Sequence, residues 1–240
     1  MAAAMTLLAV AFLAGCGGPE TERVTLVLFD DSNSAGPMKD RYGEVAETVT
    51  ESLSDGERVV MGQITGASMR DARLPVDVKV PAFSPLTQTT GLHRKAKEEA
   101  QAQLQAQAKS LIEEALLGGR SSKCTDLIGS MKIAQKVFRN AEPGAEKRLL
   151  VASDMVETCG PNLRRRALTT ETADTLFQRL REKDRFPDLE GAHVWVAGAT
   201  STTDIPPERA RSIEKFWIQF FRAAGAKIEP SHYGPTLMGW

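Results

Sequence analysis

Apolar runs that alternate with amphipathic segments constrain this chain more than any other feature. Residues 24–29, VTLVLF, are nearly unbroken in apolar character, the pattern of a strand buried on both faces. Residues 147–153, KRLLVAS, and 192–198, AHVWVAG, read as strands too, and 58–64 supplies another. Residues 76–80 alternate apolar and polar side chains, as a strand at a sheet edge does. Helices are predicted between and after these strands, over 37–53, 93–117, 125–138, 170–183 and 206–224, with a last strand at 226–229. Such alternation specifies an α/β chain, a three-layer, open and mostly parallel sheet with helices on both faces.

Side-chain spacing says which face of each helix is buried. Tyr42, Val45, Val49 and Leu53 share one stripe, and so do Leu127, Ile128, Met131, Ala134 and Phe138. Ile213, Phe216, Trp217, Phe220 and Phe221 keep helical spacing and read as core rather than as a cofactor box. Residues 93–117 are rich in Ala, Gln, Glu, Lys and Leu, with Gly118-Gly119 as the stop. The apolar stripe there (Leu104, Ala108, Leu111, Ile112, Ala115) fills only the carboxyl half, so the first turns should project into solvent. Gly66, Pro75, Pro81 and Pro85 mark 65–91 as largely loop. There are no internal repeats.

The amino terminus carries a different signal. MAAAMTLLAVAFLAGC is too short to span a bilayer and is shaped like the apolar core of a signal peptide, although no Lys or Arg precedes it. Leu13-Ala14-Gly15-Cys16 resembles the lipobox of bacterial lipoproteins, in which the cysteine is lipidated and becomes the new terminus. That resemblance implies a signal peptide over 1–15 and a lipidated tether over 16–22; the rest divides into a domain over 23–230 and a tail over 231–240. It also implies a lipid anchor in the cell envelope, facing the periplasm or exterior. Gly17, rather than Asp, after the cysteine favours the outer membrane where two membranes exist. The alternative is an ordinary secretory signal with a chance cysteine.

A formal charge of −1 over 240 residues offers nucleic acid no electrostatic attraction. The short run Arg164-Arg165-Arg166 reads as a solvated loop or helix start. With Cys16 assigned to lipid, Cys124 and Cys159 remain, an even pair in an oxidising compartment. A disulfide between them would stabilise by roughly 3–4 kcal/mol on the loop-entropy account. Two separate buried thiols are the alternative.

In open α/β sheets, ligands sit beyond the carboxyl ends of the strands. Asp30, Ser32 and Ser34 follow the first strand, Thr125 precedes a helix, and Asp154 follows KRLLVAS. Two carboxylates and three hydroxyls with no His or Cys make an all-oxygen set, suited to Mg²⁺, Mn²⁺ or Ca²⁺ rather than Zn²⁺. Helix capping by Asp30 or Ser34, and by Thr125 or Asp126, is the plainer reading of the same residues.

The three segments, Asp30-Asp31-Ser32-Asn33-Ser34, Lys123-Cys124-Thr125-Asp126-Leu127 and Val151-Ala152-Ser153-Asp154, resemble the von Willebrand factor A domain and its metal-ion-dependent adhesion site. That family has D-x-S-x-S after the first strand, a threonine in a second loop and an aspartate after a later strand. The resemblance runs from 24 to about 229 and implies a Rossmann-like sheet. It implies that Ser32 and Ser34 bind the metal directly, and that Thr125, Asp30 and Asp154 do so directly or through water. A carboxylate from a partner protein would take the open position, because neutral hydroxyls leave the ion under-neutralised. Asp31 falls out of frame and should point away. The chain departs from the pattern at Asn33, at Lys123-Cys124 and at Met155, where glycines are usual; none of these removes a ligand.

The resemblance implies a non-catalytic, metal-dependent binding module. Two other classes compete with it. One is a metal-free scaffold on the same fold. The other is an enzyme: Asp30-Asp31 is similar to phosphatases with an aspartate nucleophile, but Ser32 stands where their second aspartate is expected. A serine hydrolase would need G-x-S-x-G and a placed histidine. Neither serine has that frame, and His93, His193 and His232 have no triad context.

Overall fold

In the computed structural model, β1 (Arg23–Asp30) is buried from its second residue onward. The cause is its place between two parallel neighbours, β2 (Arg58–Ile64) and β4 (Glu146–Ala152). The structure describes residues 22–32, 35, 38, 41–82, 91–117 (without the side chains of 115–117), 124–199 and 205–240. β3 (Val76–Lys79) pairs antiparallel with β2 at one edge, and its residues alternate buried and exposed as predicted. β5 (His193–Ala197) lies parallel to β4, and β6 (Tyr233–Gly234) lies parallel to β5. The order β3-β2-β1-β4-β5-β6 turns outward in both directions from the β1–β4 junction. That junction is the topological switch point, where the crevice of such a sheet opens.

Among the described residues, five helices cover the sheet: α1 (Tyr42–Glu51), α2 (Gly91–Leu117), α3 (Leu127–Arg139), α4 (Thr170–Glu182) and α5 (Pro207–Ala223). Helices α3, α4 and α5 pack on the face that carries Leu26 and Leu28. Helices α1 and α2 pack on the opposite face, with Val27 and Phe29. The aromatic stripe of α5 is core, with Trp217, Phe220 and Phe221 fully buried. Each such side chain contributes roughly 1.5–3 kcal/mol relative to exposure. Leu104, Ala108, Leu111 and Ile112 of α2 are buried, while its first turns are largely exposed. The predicted stop at Gly118-Gly119 and the residues before Arg41 in the first helix fall at least partly outside the described residues.

The carboxyl end differs from expectation. Residues 226–229 make only a single bridge, Lys227 to His193, and the last strand is instead Tyr233–Gly234. Pro230 opens a 3-10 turn over Pro230–His232 and has no N–H to donate, so the ladder breaks and resumes three residues later. Residues 231–240, set apart by sequence as a tail, pack onto the α1 face through Leu237 and Trp240. The Trp195 indole N–H donates to the Gly239 carbonyl at 3.0 Å, and the Trp240 indole N–H to Ser52 Oγ at 2.7 Å.

Candidate functional site

Asp30 ends β1 and is fully buried. Its Oδ1 accepts the Ser32 N–H at 2.8 Å, which turns the chain sharply out of the strand. Its Oδ2 accepts the Ser153 hydroxyl at 2.6 Å, and its backbone carbonyl accepts the Tyr42 hydroxyl at 2.6 Å. The register explains the serine: Phe29 pairs with Ala152, so the next residue of each strand, Asp30 and Ser153, emerge side by side.

Asp154, the residue after Ser153, is 2% exposed, and its Oδ1 accepts the Val156 N–H at 2.9 Å. Met155 takes a left-handed backbone, φ 62°, at the position where the resembled family has glycine. Two bonds hold it there. The Met155 N–H donates to Ser153 Oγ at 2.9 Å, and the Trp217 indole N–H donates to the Met155 carbonyl at 2.8 Å.

Thr125 is 3% exposed and sits on a loop rather than a strand. Asp126, not Thr125, caps α3: its Oδ1 accepts the Gly129 N–H at 2.9 Å, and its Oδ2 accepts the Ser68 N–H at 3.1 Å. A Cβ at Gly129 would collide with that carboxylate. The Asp126 N–H donates to the Thr65 carbonyl at 2.9 Å, so the loop after β2 steadies the threonine loop.

Cys124 and Cys159 are joined in a disulfide, with Cα atoms 5.0 Å apart, as the cysteine count implied. Ser32, Thr125, Asp30 and Asp154 are therefore all described, buried and placed at the carboxyl edge of the sheet. Ser34 and Cys16 lie outside the described residues. Asp31 is half-buried, and its N–H donates to the Ile64 carbonyl at 3.2 Å.

Burial, and next the negative charge of Asp154, push the Asp30 carboxyl up from its ordinary value, against the hydrogen bonds from Ser153 and Ser32. Two buried carboxylates that feel each other's charge are costly when both are ionised, and a proton or a cation relieves the cost. Among the described residues, no three His, Cys, Asp or Glu side chains gather as a metal-binding group. The candidate set is two carboxylates with hydroxyls, and that donor chemistry fits a hard divalent cation. An ionised carboxylate oxygen offers two lone pairs, so a single protein donor still leaves room for a ligand contact.

Sequence reasoning missed Ser153, Thr158 and Glu157. Glu157 is fully buried, and burial pushes its carboxyl up to about 7, against hydrogen bonds from the Ile128 and Gly160 N–H groups. Nothing local in DMVETCG marks this acid as buried. The histidines lie elsewhere: His93 Nε2 meets Asp55 Oδ2 at 2.7 Å, and the His193 and His232 rings stack on Trp195.

No family model and no curated protein matches this chain. Among solved structures it is similar to a pilus adhesin, SpaC from Lactobacillus rhamnosus GG in an open conformation, with TM-score 0.49 and 13% identity over 90% of this chain and 28% of the adhesin. It is similar to a von Willebrand factor type A protein from Catenulispora acidiphila, with TM-score 0.40 and 14% identity over 88% of this chain and 39% of that one. It is also similar to the human COPII-coat protein Sec24c, with TM-score 0.38 and 11% identity over 74% of this chain and 27% of that one. The chain spans less than half the length of each. The solved structures it is similar to thus include a von Willebrand factor type A protein, the family its three loop segments resemble.

Proposed function

We propose that this chain is an envelope-tethered, non-catalytic protein-binding module whose site holds a divalent cation, Mg²⁺ or in its place Mn²⁺ or Ca²⁺. Asp30, Ser32, Ser34, Thr125 and Asp154 would hold the ion, and an acidic side chain of a partner protein would complete it. One observation carries the reading. Asp30 and Asp154 leave adjacent central strands at the switch point, both buried, and the strongest charge acting on Asp30 is the like charge of Asp154. A cation between them would turn that repulsion into attraction.

The tether rests on the lipobox-like Leu13-Ala14-Gly15-Cys16. Among the described residues, no helix is long and apolar enough to cross a membrane. A lipid on Cys16 would anchor the domain through residues 17–22.

Calorimetric titration with Mg²⁺ and Mn²⁺ tests the site. Heat of binding should be seen for the wild type and lost in Asp154→Ala. A crosslinking pull-down with and without chelator then tests the partner, whose capture should require the ion. A second reading, a metal-free scaffold, is favoured by one feature: both Asp30 carboxylate oxygens already accept protein hydrogen bonds. No wild-type heat at millimolar ion decides for the scaffold.

A further inference from the structure

We infer that the metal affinity of this site is under redox control, through a clamp built from the Cys124–Cys159 disulfide and the buried carboxylate of Glu157. The inference rests on the metal reading above and adds the regulation of that site.

Thr125 has no strand to hold it. Beside the bond from the neighbouring Asp126 N–H to the Thr65 carbonyl, its position is set by a short ladder to the loop that follows Asp154. The Thr125 N–H donates to Thr158 Oγ1 at 2.8 Å, and the Thr125 carbonyl accepts the N–H groups of Thr158 at 3.1 Å and Cys159 at 3.2 Å. Glu157 braces both sides of this ladder. Its Oε2 accepts the Ile128 N–H at 2.9 Å, in the first turn of the helix that Thr125 precedes, and its Oε1 accepts the Gly160 N–H at 2.7 Å. One buried side chain thus ties the aspartate loop to the threonine loop. The disulfide closes the same box covalently, joining the residue before Thr125 to the residue after Thr158.

The consequence is mechanical. Asp154 and Thr125 stand on different loops, and residues 157–160 are the segment that relates them. Single hydrogen bonds to backbone exchange readily with water, whereas the covalent link keeps both strands of the ladder together. Cys124 and Cys159 are each partly exposed, so a solvent reductant can reach them. A dithiol breaks the Sγ–Sγ bond by supplying two electrons and two protons. Two cysteine thiols result, and the dithiol is oxidised to its own disulfide. The ladder then rests on Glu157 and its hydrogen bonds, and the threonine hydroxyl is less well placed toward Asp154.

The test uses the full chain and Mn²⁺ alone as probe, by calorimetry, on oxidised protein and on protein reduced with dithiothreitol that is then removed anaerobically. Reduction, and the Cys124→Ser/Cys159→Ser variant, should each weaken Mn²⁺ binding by roughly 10-fold, the usual effect of loosening the groups that orient metal ligands. Glu157→Gln in the oxidised protein should weaken it similarly, because an amide nitrogen would face one of the two N–H donors. Amide hydrogen exchange at Thr125, Ile128, Cys159 and Gly160 supplies an independent readout and should quicken on reduction while β1 stays protected. Equal Mn²⁺ affinity in the two redox states, with unchanged exchange, overturns the clamp and leaves the metal site standing. No Mn²⁺ binding by oxidised wild type, with faster exchange on reduction, overturns metal control and leaves only a structural clamp.

Discussion

The Ser153 hydroxyl donates to the Asp30 carboxylate at 2.6 Å and in turn accepts the Met155 N–H at 2.9 Å. This one oxygen joins the ends of the two central strands and helps hold the left-handed residue that follows Asp154. A change at Ser153 therefore reaches both acids of the candidate site.

Ser153→Ala should destabilise the fold by about 1–3 kcal/mol, because Asp30 Oδ2 and the Met155 N–H each lose a buried partner. Urea unfolding followed by circular dichroism measures this. A midpoint unchanged from wild type would mean that water replaces the hydroxyl without cost.

Asp30→Ala should abolish Mg²⁺ and Mn²⁺ binding, and Asp31→Ala should largely spare it. The two residues are adjacent, but Asp30 is fully buried at the strand end and Asp31 is half-buried beyond it. Calorimetry on the pair is decisive for the frame, since the reverse order would place the ligand at Asp31.

Stability in chelator should fall as pH rises from about 4.5 to about 7. Below 4.5, Glu157 is protonated in both folded and unfolded chains. Between the unfolded value of 4.5 and the folded value of about 7, only the folded chain keeps the proton. The proton bound to the folded state therefore stabilises it at low pH, and that contribution is lost as pH passes through the folded value. Its size is on the order of 3 kcal/mol. Asp30, also shifted upward, acts in the same sense. Urea midpoints should be higher at pH 5 than at pH 8, with a smaller difference in Glu157→Gln.

Deleting Trp240 should lower stability by about 1–3 kcal/mol through the loss of its edge-on contact with Trp195 and its hydrogen bond to Ser52. The Arg148 guanidinium, 5.5 Å from the Trp240 ring centre, loses one of its two aromatic neighbours as well. Thermal unfolding checks this, and an unshifted midpoint would mean that the chain end is only loosely held.

Much of the architecture is legible in sequence because burial writes itself as periodicity. VTLVLF reads as a two-sided strand and the Phe216, Trp217, Phe220 and Phe221 stripe as a core face, and both are buried. The disulfide was legible from the number of cysteines. The last strand was misplaced because strand propensity at 226–229 is local, whereas Pro230 decides where pairing can continue. Met155 itself gives no sign of its left-handed backbone, which only the glycine usual there in the resembled family points to, and that conformation costs a side-chain-bearing residue roughly 1–2 kcal/mol. Complete burial of its side chain and the Trp217 hydrogen bond offset that cost, and both come from packing.

The sequence by itself determined the α/β alternation and the order of the Asp-x-Ser, threonine and aspartate segments, and it offered Cys124 and Cys159 as a pair that the structure joins. These depend on spacing along the chain, which is a property of the chain. Only the tertiary structure decided that Ser153 serves Asp30, that Asp126 rather than Thr125 caps α3, and that Glu157 is a buried brace between two loops. The roles of Ser153 and Glu157 depend on strand register and on desolvation, which arise when residues 123 and 29 positions apart are brought side by side.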